Sequence, residues 1–114
     1  MIRPDAIRKH ALGLPGAEEQ PHWGDPSFRV RGKIFAVVYP GTKRAVLKLA
    51  REDQAALVAA APDVFFTNAW SHQGWTEVDL GRIAAAEMRA LVEDAWREVA
   101  GKRAVAAFDA TTAR

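Results

Sequence analysis

Apolar and basic residues alternate with period two in Phe28-Arg29-Val30-Arg31, the pattern of a strand with one face in water. Arg31-Gly32-Lys33 then reads as a tight reversal, with Gly32 supplying the unusual backbone angles, and the apolar run Ile34 to Tyr39 pairs back against the first strand. A second turn at Pro40-Gly41-Thr42-Lys43 leads into a third strand, Ala45 to Leu49. The segment 18 to 23 reads as a short edge strand before this meander, although Pro21 weakens it.

Three stretches switch to helical spacing. Residues 3 to 12 carry Pro4 and Asp5 in the first turn and an apolar stripe of Ile7, Ala11 and Leu14, ended by Gly13, Pro15 and Gly16. Residues 51 to 61 form an alanine-rich helix with Glu52 and Asp53 at its start and Pro62 after it. Met88, Leu91, Val92, Ala95, Trp96 and Val99 repeat with period 3.6 along 83 to 100, and Gly101 is a natural stop. Between the last two helices, Val64 to Trp70 and Gly74 to Leu80 read as a strand pair joined by Ser71-His72-Gln73.

Short links between consecutive strands favour antiparallel pairing. The expected fold is therefore α+β, a two-layer sandwich with an antiparallel sheet of five to six strands and helices packed on one face. The order of elements predicts a single domain over residues 1–101 and a frayed tail over 102–114, with Phe108 the one residue there able to pack back.

Composition changes this picture little. A chain of 114 residues, 49% apolar and 26% charged, is an ordinary single domain. The absence of cysteine excludes disulfides, thiolate metal sites and a cysteine nucleophile, and fits a reducing cytoplasm. No apolar run approaches the ~20 residues of a membrane span, and Met1-Ile2-Arg3-Pro4-Asp5 lacks signal-peptide character. A bacterial-type cytoplasmic protein is expected.

Charge changes it more. The net charge is only +2, yet between Asp25 and Glu52 lie seven basic residues and no acid: Arg29, Arg31, Lys33, Lys43, Arg44, Lys48 and Arg51. The rest of the chain holds nine basic and fourteen acidic residues. Strand alternation puts Arg29, Arg31 and Lys48 on a wet face, with Lys33, Lys43 and Arg44 at turns. That is a candidate surface for DNA phosphates, binding with low sequence specificity. Against it stands a plain solvated face. If Glu77 and Asp79 share that face with Arg29 and Arg31, cross-strand pairs worth roughly 0.2–1 kcal/mol each neutralise part of the patch.

The loop His22-Trp23-Gly24-Asp25-Pro26-Ser27 gathers an imidazole, a ring, a carboxylate and a hydroxyl. Gly24 and Pro26 make it ordinary turn chemistry. Its other reading is a stacking or ligand loop built from His22, Trp23 and Asp25, with His72 approaching from the later loop; the module would then bind a protein or a small anion without catalysis. Two ligands are too few for a metal. Trp75 and Trp96 fit buried positions, whereas Trp23 and Trp70 lie near loops. No glycine-rich phosphate loop, nucleophile elbow or paired catalytic carboxylates are visible, so neither an enzyme nor a cofactor is expected.

Leu14-Pro15-Gly16, His22 to Val30, Gly32-Lys33-Ile34-Phe35-Ala36, Val46-Leu47-Lys48-Leu49 and Gly74 to Leu80 occur in an order that resembles the MmcQ/YjbR family of small bacterial proteins. The resemblance covers roughly residues 5 to 100. It implies a fold similar to the frataxin-like CyaY group and a DNA-binding label tied to a double-wing surface of β-hairpins. Members usually show Tyr where Trp96 stands. A CyaY-like iron role would need exposed acids on the first helix, which here has Asp5 amid Arg3, Arg8 and Lys9.

Overall fold

Two reversals set the frame of the sheet. Trp23 (φ 55°) and Gly24 (φ 88°) join the first hairpin, and Arg31 (φ 51°) and Gly32 (φ 80°) join the second. Positive φ at both central residues is what a two-residue hairpin of type I′ needs, because its twist matches that of the strands it links. In the computed structural model, which describes residues 2–67 and 73–112, these turns connect β1 (Ala17–His22), β2 (Asp25–Val30) and β3 (Lys33–Tyr39). Pro21 and Pro26 lie directly opposite each other near the first turn, at a rung where neither strand needs an N–H from the other.

The chain continues through β4 (Arg44–Lys48), α2 (Arg51–Ala60), β5 (Phe65–Phe66) and β6 (Trp75–Asp79), after α1 (Pro4–Leu12) at the start and before α3 (Ala85–Ala100) and α4 (Lys102–Thr112) at the end. The strands form one antiparallel sheet in the order β1-β2-β3-β4-β6-β5. This is the α+β architecture expected from the pattern, with α1 and α3 packed over one face. None of the helices among the described residues is long and apolar enough to cross a membrane.

The core lies between that face and the helices. Phe28, Val30, Phe35, Val38, Ala45, Leu47 and Val78 from the strands meet Ile7, Ala11, Met88, Val92, Ala95 and Trp96 from the helices. The Trp96 indole is fully buried and donates to the Pro15 carbonyl at 2.9 Å, which ties α3 to the end of the first loop. Thus the indole finds the hydrogen bond that a buried ring N–H requires.

A β-bulge interrupts the alternation. Phe28 pairs with Ala36 but Arg29 pairs with Ile34, so Phe35 is an extra residue on β3. Phe35 and Ala36 both join the core, and Ile34 and Val37 come to the same, opposite face. Strict period two would have separated Ile34 from Val37.

Residues 102–112, expected to fray, are helical instead. Gly101 (φ 86°, ψ 156°) ends α3 yet turns the chain rather than releasing it. Ala104, Val105 and Phe108 then make an apolar stripe against the core. The Phe108 ring meets Trp96 edge-on at 5.1 Å, and Arg97 grips Asp109 through two bonds of 3.0 and 2.7 Å. A stripe of only three apolar residues is too short to be decisive in sequence.

Candidate functional site

Folding scatters the basic window. Arg29 alone of the β2 pair stands on the face away from the helices, where it is half-buried and donates to Ser27 Oγ at 3.0 Å and to the Pro21 carbonyl at 3.4 Å. Arg31 does not share that face. Its place in the turn carries the guanidinium round to the Ala100 carbonyl, 3.4 Å away, where a cation complements the C-terminal end of α3. Lys33 and Lys43 are exposed at turns on opposite ends of β3, seven residues long, so about 23 Å of strand divides them.

The two β4 residues have partners of their own. Arg44 lies over the Phe66 ring at 4.4 Å, and Lys48 donates to the Gln73 carbonyl while its ammonium sits 5.6 Å from the centre of the Trp75 ring. Glu77 and Asp79 do not lie opposite Arg29 and Arg31: β3 and β4 stand between. Their register partners are Val46 and Arg44. Asp79 also meets Arg82 at 3.3 Å and accepts from the Gly81 amide at 2.9 Å. Of the candidate phosphate surface, Arg29, Arg31, Arg44 and Lys48 are thus held by separate partners, and Lys33 and Lys43 are exposed at distant turns.

What the open face does gather is apolar. Gln20, Ser27, Val37, Val46 and Glu77 form one row across the sheet, each paired with the next. Val37 and Val46 are 4% and 7% exposed although no part of the core under the helices. They floor a groove of about 490 Å³, walled by Ile34 and Tyr39 from β3, Trp75 from β6, and His22, Trp23 and Asp25 from the first hairpin. The structure thus brings His22, Trp23 and Asp25 together at one site; His72, and with it Trp70, lies outside the described residues.

Local geometry makes this hairpin unusual. Trp23 occupies the left-handed region and is 92% exposed. A bulky residue at positive φ is a strained choice where Asn or Gly would serve. Its ring meets His22 edge-on at 6.2 Å. Across the groove the Tyr39 hydroxyl is pushed above the ordinary tyrosine range, first by burial and then by the negative fields of Asp25 and Glu77. Among the described residues no group of three His, Cys, Asp or Glu is gathered closely enough to hold a metal ion.

Ile34, Val37, Tyr39, Val46 and Trp75 are the groove residues that the sequence reading did not single out. Trp75, expected in the core, is half-buried on the open face. One signal was present: β3 is apolar on both faces, which marks a strand covered twice rather than one with a wet side.

A model of the YjbR family matches residues 12–98, from the last residue of α1 through nearly all of α3, and so takes in every residue of the groove. The chain belongs to the YjbR family. Among solved structures it is similar to the crystal structure of Deinococcus radiodurans protein DR2400, which carries a DUF419 domain. The TM-score is 0.72 at 20% identity, over 81% of this chain and 74% of that one, a likeness of fold. No curated protein matches the chain. Beyond the matched segment, α4 closes over Trp96.

Proposed function

We propose that this YjbR protein is a non-catalytic binding module whose ligand seats in the open-face groove beneath the 22–27 loop. One observation carries the reading: Val37 and Val46 form an apolar floor on the sheet face that no α1–α3 layer covers, and aromatic rings wall it. An antiparallel sheet with helices on one side ordinarily shows polar residues on the other. A concave apolar site with a few polar groups is the usual form of a small-ligand pocket, and about 490 Å³ falls in the size range of such pockets. A cytoplasmic setting belongs to this proposal and rests on the cysteine-free composition.

Protein-observed NMR with a library of aromatic fragments tests it. The indole N–H signals of Trp23 and Trp75 should shift while that of Trp96, buried under the helices, stays fixed. A library that shifts neither groove indole would refute the proposal.

The reading through DNA phosphates draws on the family resemblance and on the exposed Lys33 and Lys43. Fluorescence anisotropy with labelled duplex measures it. Six phosphate contacts would give a log–log salt slope near −5, as each contributes about −0.9. With Arg29, Arg31, Arg44 and Lys48 held by separate neutral partners, fewer than six contacts and a slope shallower than about −5 are expected.

A further inference from the structure

We propose that the groove selects a small organic cation, an ammonium group carrying aromatic or alkyl substituents. The inference rests on the binding-module reading and adds the chemistry of the ligand. Trp23, Tyr39 and Trp75 present three aromatic rings to one concavity. The face of an aromatic ring is the negative part of its quadrupole, so a cluster of faces attracts a cation, above all a weakly hydrated ammonium.

Charge in the lining has the matching sign. Asp25 is part of the wall; outside the lining, Glu77 stands across from Val46, and Arg29, Arg44 and Lys48 stand across from Ile34, Tyr39 and Trp75. Among the described residues the lining contains no lysine or arginine. The raised titration of Tyr39 has the same origin in part, because Asp25 and Glu77 both act on its hydroxyl. An anion entering here would meet Asp25 without a lining guanidinium or ammonium to offset it.

The chain already pairs cations with rings on this face. Lys48 lies by Trp75 and Arg44 over Phe66, each at the border of the apolar floor. A free ligand would do the same over the apolar floor of Val37 and Val46, where an ammonium that sheds its water is attracted more strongly.

Three probes of nearly one shape decide the matter: (3-hydroxyphenyl)trimethylammonium, neutral 3-tert-butylphenol and anionic 3-hydroxybenzenesulfonate, each titrated into the protein at pH 7 and followed by NMR and calorimetry. The ammonium should bind about tenfold or more tighter than its neutral isostere, with shifts at Trp23, Tyr39 and Trp75, and the sulfonate should bind weakest. Asp25→Asn should lower ammonium affinity about fivefold more than it lowers that of 3-tert-butylphenol, whose retained binding reports that the groove is intact. Equal affinities for ammonium and isostere, or a preference for the sulfonate, would overturn cation selection while leaving the groove a binding site. If none of the three shifts a groove signal, cation selection is overturned, and the fragment library then decides the wider reading.

Discussion

Replacing Trp23 by Asn separates what the hairpin needs for folding from what the groove needs for binding. Trp23 sits at φ 55°, and Asn-Gly is the preferred pair for such a turn. The left-handed region costs an ordinary L-residue roughly 1–2 kcal/mol, a penalty Asn largely escapes. Against that gain, the substitution removes little packing. At 92% exposed, only about 8% of the side chain is covered. Taking about 250 Å² for a full tryptophan leaves about 20 Å², or roughly 0.5 kcal/mol at 25 cal/mol/Å². The edge contact with His22 adds about 0.5 kcal/mol at most. The balance is a gain between about 0 and 1 kcal/mol, which raises Tm by up to about 5 °C in a domain of this size. Thermal unfolding followed by circular dichroism reads the first part, and fragment titration of the Trp75 indole reads the second. Trp23→Asn should be as stable as the parent or slightly more so, and should lose most of the groove affinity. A Tm lower by 5 °C or more would refute the reasoning, since it would mean the ring supports the fold.

Three other substitutions probe the frame around the site. Gly74→Ala should cost more than about 3 kcal/mol in denaturant unfolding, because Gly74 holds φ 89° and a Cβ there would run into the Leu49 carbonyl oxygen. Phe108→Ala should cost about 1–2 kcal/mol by loss of its contact with Trp96, whereas a frayed tail would make the change silent. Asp94 is held above the ordinary aspartate range by burial first and by Asp53 second. Its folded state therefore binds a proton more readily than its unfolded state, so the ionised form costs stability above the folded pKa and the cost fades below the unfolded one. Asp94→Asn should accordingly raise Tm by about 1–2 °C at pH 7, a small figure because the group is largely exposed, and the gain should vanish below about pH 4.

The pattern of apolar positions was enough for most of the frame. Period two in 28–31, period 3.6 in 83–100 and the glycine turns between them lead to the antiparallel sheet with its helices on one side. Alternation failed at two places for identifiable reasons. The bulge at Phe35 shifts the phase of β3 by one residue, so Ile34 faces the same way as Val37, and nothing in a run of six apolar residues marks where that happens. Arg31 obeys the alternation as a letter in the sequence but leaves the strand in space, because the turn takes it into positive φ and points it at the end of α3. Register was the other gap. The order in which β6 inserts between β4 and β5 decides which charges meet Glu77 and Asp79, and no local feature of the chain encodes that order.

The same gap explains why charge counted along the chain and charge counted in the groove lining differ in sign. The window from Pro26 to Arg51 is purely basic, yet its two central strands give the groove Ile34, Val37, Tyr39 and Val46, all uncharged, while Arg44 and Lys48 meet separate partners at the margins. The carboxylates come from outside the window, Asp25 from its edge and Glu77 from a strand some thirty residues on. An anion reading follows if sequence neighbours remain spatial neighbours; a cation reading follows from the register. Raising salt from 50 to 500 mM discriminates between them with one titration. Multiple phosphate contacts would collapse over that range, whereas an ammonium held by ring faces and one carboxylate over an apolar floor should weaken only a few-fold.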